Sequence, residues 1–175
     1  MKNLLTCAFF ALSLLVAVPV VAQDGVAEAA RRGDWVTVVR IWKPLAEQGD
    51  LVSQYNLGQL YREGRPGVSQ NLRAAVKWYR KSAENERLDG SGAGLFARHS
   101  LGLMYGQGEG VSQSDVFAYM WCSLAALGGA PPALRADAEE CADIALSRMT
   151  PADRSLAKHL VKECLVRNEG ETCAR

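Results

Sequence analysis

The chain has 175 residues, with 20 lysines and arginines against 19 aspartates and glutamates, and a formal net charge of +1. That length fits one ordinary domain. The balanced charge offers no cation excess to neutralise a phosphate backbone, so nucleic acid is a poor candidate partner.

The chain opens with Lys2 and an apolar run, LLTCAFFALSLLVAVPVV, from Leu4 to Val21. Val20 and Ala22 stand at the minus-three and minus-one positions of a cut before Gln23. This is the pattern of a secretory signal peptide over residues 1–22, and it predicts a periplasmic or secreted protein. The run is close to the length that spans a bilayer, so a retained anchor is the alternative. No stretch after residue 23 is apolar enough to insert stably in a membrane. Removing Cys7 leaves Cys122, Cys141, Cys164 and Cys173. An even number of cysteines in an exported chain points to disulfides, and four cysteines allow three pairings.

In chain order, apolar residues at helical spacing predict a short helix over Ala27–Arg32. Further helices are expected near 34–46, 50–63, 70–85, 95–106, 113–127, 132–148 and 151–166. No segment alternates with period two over a useful length. The expected class is all-α.

Two long stretches are copies. Leu57, Gly58 and Tyr61 match Leu101, Gly102 and Tyr105, 44 residues on. After a glycine link containing Gly67 in one copy and Gly110 in the other, the offset is 43. Ala75 then matches Ala118, Trp78 matches Trp121, and Tyr79 matches Cys122. A fainter copy, Gly33 to Asp50, precedes them by about 37. Periods of this size are the signature of stacked helix pairs. The domain plan is therefore a partial repeat over 27–48, repeats over 50–85 and 95–127, and an insertion over 87–94 between them. A capping pair follows over 131–166, and a polar tail over 167–175.

Local signals fix the expected helix ends. Gly64 and Gly108 should stop the first helix of each pair in a left-handed conformation. Ser69 and Ser112 are the expected N-caps of the second helices, with Asp115 completing a capping box on Ser112. Gly58 and Gly102 lie inside helices, where glycine costs roughly 0.5–1 kcal/mol against alanine. Glycine at one phase in both copies implies close backbone approach, with Ala75 and Ala118 as the expected facing residues. The aromatics Tyr61, Trp78, Tyr79, Tyr105 and Trp121 should fill the space between repeats. Near the end, Thr150-Pro151-Ala152-Asp153 reads as a helix start. The closing pair, with stripes through Leu134, Ala138, Cys141 and Ala145 and through Leu156, Leu160 and Cys164, should end the stack.

These residues resemble the Sel1-like repeats, relatives of the tetratricopeptide repeat. The resemblance is carried by AEQGD (46–50), QYNLGQLY (54–61), GVSQN (67–71), AVKWYRKSAE (75–84) and their second copies. MTPADRSLA (149–157) is similar to the helix that follows such repeats in exported bacterial members. The resemblance implies a right-handed superhelical solenoid of antiparallel helix pairs. It implies a protein or peptide partner held along a groove, no cofactor and no metal. Two features depart from the pattern, namely the 87–94 insertion and the cysteine at 122. Cys122 and Cys141 lie about equally far from the turn near residue 131, so antiparallel packing brings them level. A Cys122–Cys141 bond is favoured, with Cys164–Cys173 by elimination; Cys141–Cys164 stays open.

Chemistry leaves little trace. His99 stands where Tyr55 stands in the earlier copy and is expected to be structural. His159 lies beside the apolar stripe of the last helix and is expected at the surface. There is no HExxH, CxxC or GxSxG pattern. GSGAG (90–94) lacks the lysine and hydroxyl of a phosphate loop. Solvent-side polar residues of the first helices, Gln54, Gln59, Arg62 and Arg98, are the candidate binding surface. The leading expectation is a non-enzymatic interaction module. A cell-envelope hydrolase acting on peptidoglycan or a β-lactam, and an inhibitor or immunity-type protein, are the alternatives.

Overall fold

The computed structural model describes residues 20–84, 91–127 and 129–166. Among them are eight α-helices and no strand, only an isolated bridge between Arg65 and Val68. The helices are α1 (Val20–Arg31), α2 (Trp35–Glu47), α3 (Leu51–Glu63) and α4 (Leu72–Glu84). They continue as α5 (Ala93–Gln107), α6 (Asp115–Leu127), α7 (Pro132–Arg148) and α8 (Pro151–Val166). Each packs against the next up to α7. In addition α3 touches α5, α5 touches α7, and α6 touches α8. The first helices of successive pairs therefore form one continuous layer. The protein is an all-α stack of antiparallel helix pairs.

The two repeats share most of their turn bonds, although Gly64, with ψ 155°, departs from the left-handed conformation expected of it, which Gly108, with ψ 27°, adopts. Gly64 and Gly108 end α3 and α5 with φ of 70° and 73°, and their N–H groups donate to Leu60 and Met104. The chain is then stapled twice. Gln70 Nε2 donates to the Arg62 carbonyl at 2.8 Å, and Gln113 Nε2 to the Gly106 carbonyl at 3.1 Å. Asn71 N–H donates to Tyr61 O at 2.7 Å, and Ser114 N–H to Tyr105 O at 2.9 Å. These bonds satisfy carbonyls that a helix end leaves orphaned.

Asn71 and Ser114 also cap α4 and α6, correcting the expected caps. Asn71 Oδ1 accepts from Ala74 N–H and Ser114 Oγ from Phe117 N–H. Ser69 and Ser112 lie two residues too early, because the staple delays each helix start, and Asp115 is the first residue of α6 rather than the third. The start of α8 is as read: Thr150 Oγ1 accepts from Asp153 N–H at 3.2 Å and donates to Asp153 Oδ2 at 2.7 Å.

Three boundaries differ from expectation. α1 spans Val20–Arg31, so the upstream unit has two full helices and the last residues of the expected signal segment begin the first. α5 begins at Ala93, behind Gly92 in a left-handed conformation, and takes up two residues of the expected insertion. Leu156 is 49% exposed; α8 instead turns Ala157, Leu160, Val161 and Cys164 to the core, one helical position round. Residues 1–19, the first half of the 87–94 insertion (87–90) and the 167–175 tail lie outside the described residues.

The glycine expectation holds for close approach, and Gly102 faces Ala118 as expected, but Gly58 does not face Ala75. A methyl group on Gly58 would lie 2.5 Å from the Tyr79 ring rather than on Ala75. One on Gly102 would fall inside the Cys122 sulfur and 3.2 Å from the Ala118 carbonyl. The main core joins Ala75, Tyr79, Leu101, Tyr105, Ala118 and Trp121, while Trp78 packs with Leu57 and Ala46. Tyr61 packs against both clusters.

Candidate inter-repeat binding cleft

A cleft of about 270 Å³ opens between α3, α4 and α5. Gln59, Arg62 and Glu63 of α3 form one wall, and Tyr79, Ser100 and Glu109 the floor and the facing side. Arg62 and Glu109 meet across it, with guanidinium nitrogens 3.0 Å from Glu109 Oε2. Both side chains are about a third exposed, so the pair positions polar groups and contributes little to stability. Glu63 pairs with Arg65, whose guanidinium lies over the Trp35 ring at 5.1 Å. Burial of Tyr79 at the floor raises its hydroxyl pKa well above the usual range, a direction that bonding to Ser100 opposes. The floor therefore presents neutral hydroxyls and the walls present charge.

The four candidate surface residues divide. Gln59 is exposed and Arg62 half-buried, and both line the cleft. Gln54 does not; it is 2% exposed and its Nε2 donates to the Ala46 carbonyl at 2.9 Å. Its phase on α3 points at α2, so it ties the upstream unit to the first full repeat. Arg98 reaches the far ends of the neighbouring helices. Its Nε donates to Ala83 O at 3.2 Å and its Nη1 to Leu124 O at 3.4 Å, in the last turns of α4 and α6. A cation there meets carbonyls without helical partners and the negative ends of two helices.

Sequence reasoning missed Glu109, Glu63, Gln70 and Ser100, and read Tyr79 only as an inter-repeat aromatic. One signal was available for Glu109: in the 44-residue register it replaces Arg65, a reversal of charge between copies.

The histidines form no catalytic group together. His99 is half-buried on α5; burial lowers its pKa, against a nearby Asp137 that raises it. His159 is exposed on α8, with Nε2 3.3 Å from Glu163 Oε1. Among the described residues no group of three or more His, Cys, Asp or Glu is placed to hold a metal ion. No helix among them is long and apolar enough to cross a membrane.

A Cys122–Cys141 disulfide joins α6 to α7, with the Cα atoms 6.0 Å apart. This excludes the Cys141–Cys164 pairing. The Cys164–Cys173 expectation lies outside the described residues because Cys173 does.

Comparison with known proteins places these features. The Sel1 repeat model matches residues 51–86 and 95–129, the two full repeats. No curated protein matches the sequence. A protective antigen present in uropathogenic Escherichia coli strains, whose crystal structure displays an SLR fold, aligns with a TM-score of 0.69 and 24% identity. The alignment covers 83% of this chain and 29% of that one, so this chain spans less than a third of the antigen's length. That likeness shows a shared fold. Two Sel1 repeats on consecutive helix pairs, stapled by equivalent glutamine and backbone bonds, thus lie within an all-α stack that has the Sel1-like, tetratricopeptide-like helical-repeat fold.

Proposed function

We propose that this protein is an exported, non-enzymatic adaptor that binds an extended segment of a partner protein or peptide along the α3–α5–α7 layer. The observation that carries this reading is the cleft between α3 and α5. Two amides, a guanidinium, two carboxylates and two hydroxyls line this one opening. Such convergent polar groups in a concave site fix the orientation of a ligand. The apolar run at residues 4–21 supports export.

A photo-crosslinking amino acid placed at Gln59 tests this in the producing cell. The reading expects discrete crosslinked species from Gln59 and none from Lys77, on the exposed face of α4. Equal products from both positions would contradict it.

A further inference from the structure

One side of α8 packs on the stack, through Ala157, Leu160, Val161 and Cys164. The other side faces solvent, with His159, Lys162, Glu163 and Val166 around a shallow hollow of about 290 Å³. Leu156 and Val166 are exposed there although both are apolar. Leu156, His159, Glu163 and Val166 follow one another at steps of three, four and three residues, so they form one stripe along the helix. The two middle residues converge, with His159 Nε2 3.3 Å from Glu163 Oε1.

That distance has a second meaning. Imidazole nitrogen and carboxylate oxygen both bind zinc, with bonds of about 2.0–2.2 Å. At the tetrahedral angle such bonds set two ligand atoms about 3.3–3.5 Å apart. The pair therefore already has the spacing of one edge of a zinc tetrahedron. A closed zinc site takes four ligands, and one chain offers two here.

The stripe itself supplies the other two. Val161 lies midway between His159 and Glu163, and also midway between Leu156 and Val166. A second α8 laid antiparallel, with the two-fold axis level with Val161, sets His159 against Glu163 of the second copy. It sets Leu156 against Val166 of the second copy in the same register. This self-complementarity is what an isologous two-fold interface requires.

We propose that α8 carries half of a zinc-type cation site, completed by α8 of a second copy of this chain. The inference is independent of the inter-repeat cleft. Two imidazoles and two carboxylates select zinc over magnesium or calcium, which take oxygen ligands. The two carboxylates neutralise the ion, and the apolar pairs at either end leave water. Lys162 lines the same hollow and opposes a cation there. Its flexible stem lets the ammonium swing out to solvent, at a cost in affinity.

Light scattering of the whole protein, purified without a histidine tag and titrated with zinc chloride, tests this. The expected result is a doubling of molar mass at one zinc ion per two chains, reversed by EDTA. Magnesium chloride at the same concentration should leave single chains. His159→Ala and Glu163→Gln change solvent-side groups and leave the fold intact. Each should raise the zinc concentration for half-dimerisation at least about tenfold. Lys162→Gln should lower it. Val166→Asp keeps both ligands and should still block the dimer, which a site built from other residues would not feel. A molar mass unmoved by zinc, dimerisation unchanged in His159→Ala, or one zinc held by each single chain would overturn the inference.

Discussion

Gly102 lies directly against Cys122, so close that a methyl group at Gly102 would occupy the space of the Cys122 sulfur. In the preceding repeat the Tyr79 ring lies over Gly58 in the same way. One device, a glycine on the first helix beneath a bulky group on the second, thus serves a ring in one copy and a disulfide in the next. Gly102→Ala should destabilise the protein by about 1–3 kcal/mol through overpacking. In a Cys122→Ala background the same change should cost much less, because only the Ala118 carbonyl and the residue-122 amide remain near, at 3.2 Å. Urea denaturation of the four proteins in this cycle measures the coupling. Additive effects would show that the sulfur is not what Gly102 accommodates.

The Cys122–Cys141 bond closes a short loop, with its ends 19 residues apart. Cys141→Ala should lower stability by about 2–4 kcal/mol. The effect should concentrate in α7 and α8, since the bond anchors α7, and hydrogen exchange should show those helices losing protection before α3 and α4. Mass mapping of the non-reduced protein is expected to find a second bond, Cys164–Cys173.

Gln54 and Gln59 lie five residues apart on α3 and should behave oppositely. Gln54→Ala removes a buried amide and its bond to the Ala46 carbonyl, which keeps the Gly49 N–H as a donor, at a cost of about 0.5–1.5 kcal/mol. Gln59→Ala should change stability by less than about 0.5 kcal/mol, as exposed substitutions do, and should weaken partner binding. Thermal melts paired with a binding assay separate the two.

His99 makes stability depend on pH. Its pKa in the folded protein is lowered by burial, so the unfolded chain binds the proton more readily. Stability from this group is therefore complete above the unfolded value of about 6.5 and declines as pH falls below it. His99→Gln removes the titration. The difference in melting temperature between the native protein and this variant should move in the variant's favour between pH 7 and pH 5. A difference independent of pH would show that His99 titrates alike in both states.

Much of this architecture was legible because repeats state their own alignment. The register of Leu57-Gly58-Tyr61 on Leu101-Gly102-Tyr105 located four helices and their glycine stops from spacing alone. The antiparallel argument about the turn near residue 131 brought Cys122 to Cys141. Facing partners were harder to read. Helical spacing gives the phase of Gly58 but not which residue of α4 lies opposite, and the answer was Tyr79, a turn beyond Ala75. Polar residues misled for a related reason. Gln54 resembles a surface residue in composition, and only the packing of α2 on α3 buries it. The cleft escaped notice because its groups come from α3, α4, α5 and two links, and Glu109 reaches Arg62 from 47 residues away.

The central claim is that the α3–α5–α7 layer is the binding face. Backbone amide chemical shifts of the labelled protein, recorded as a partner segment captured by crosslinking at Gln59 is added, test it most directly. The account predicts the largest shifts at Gln59, Arg62, Ser100 and Glu109 around the cleft. Shifts confined to the exposed face of α4, around Arg73 and Lys77, would contradict it.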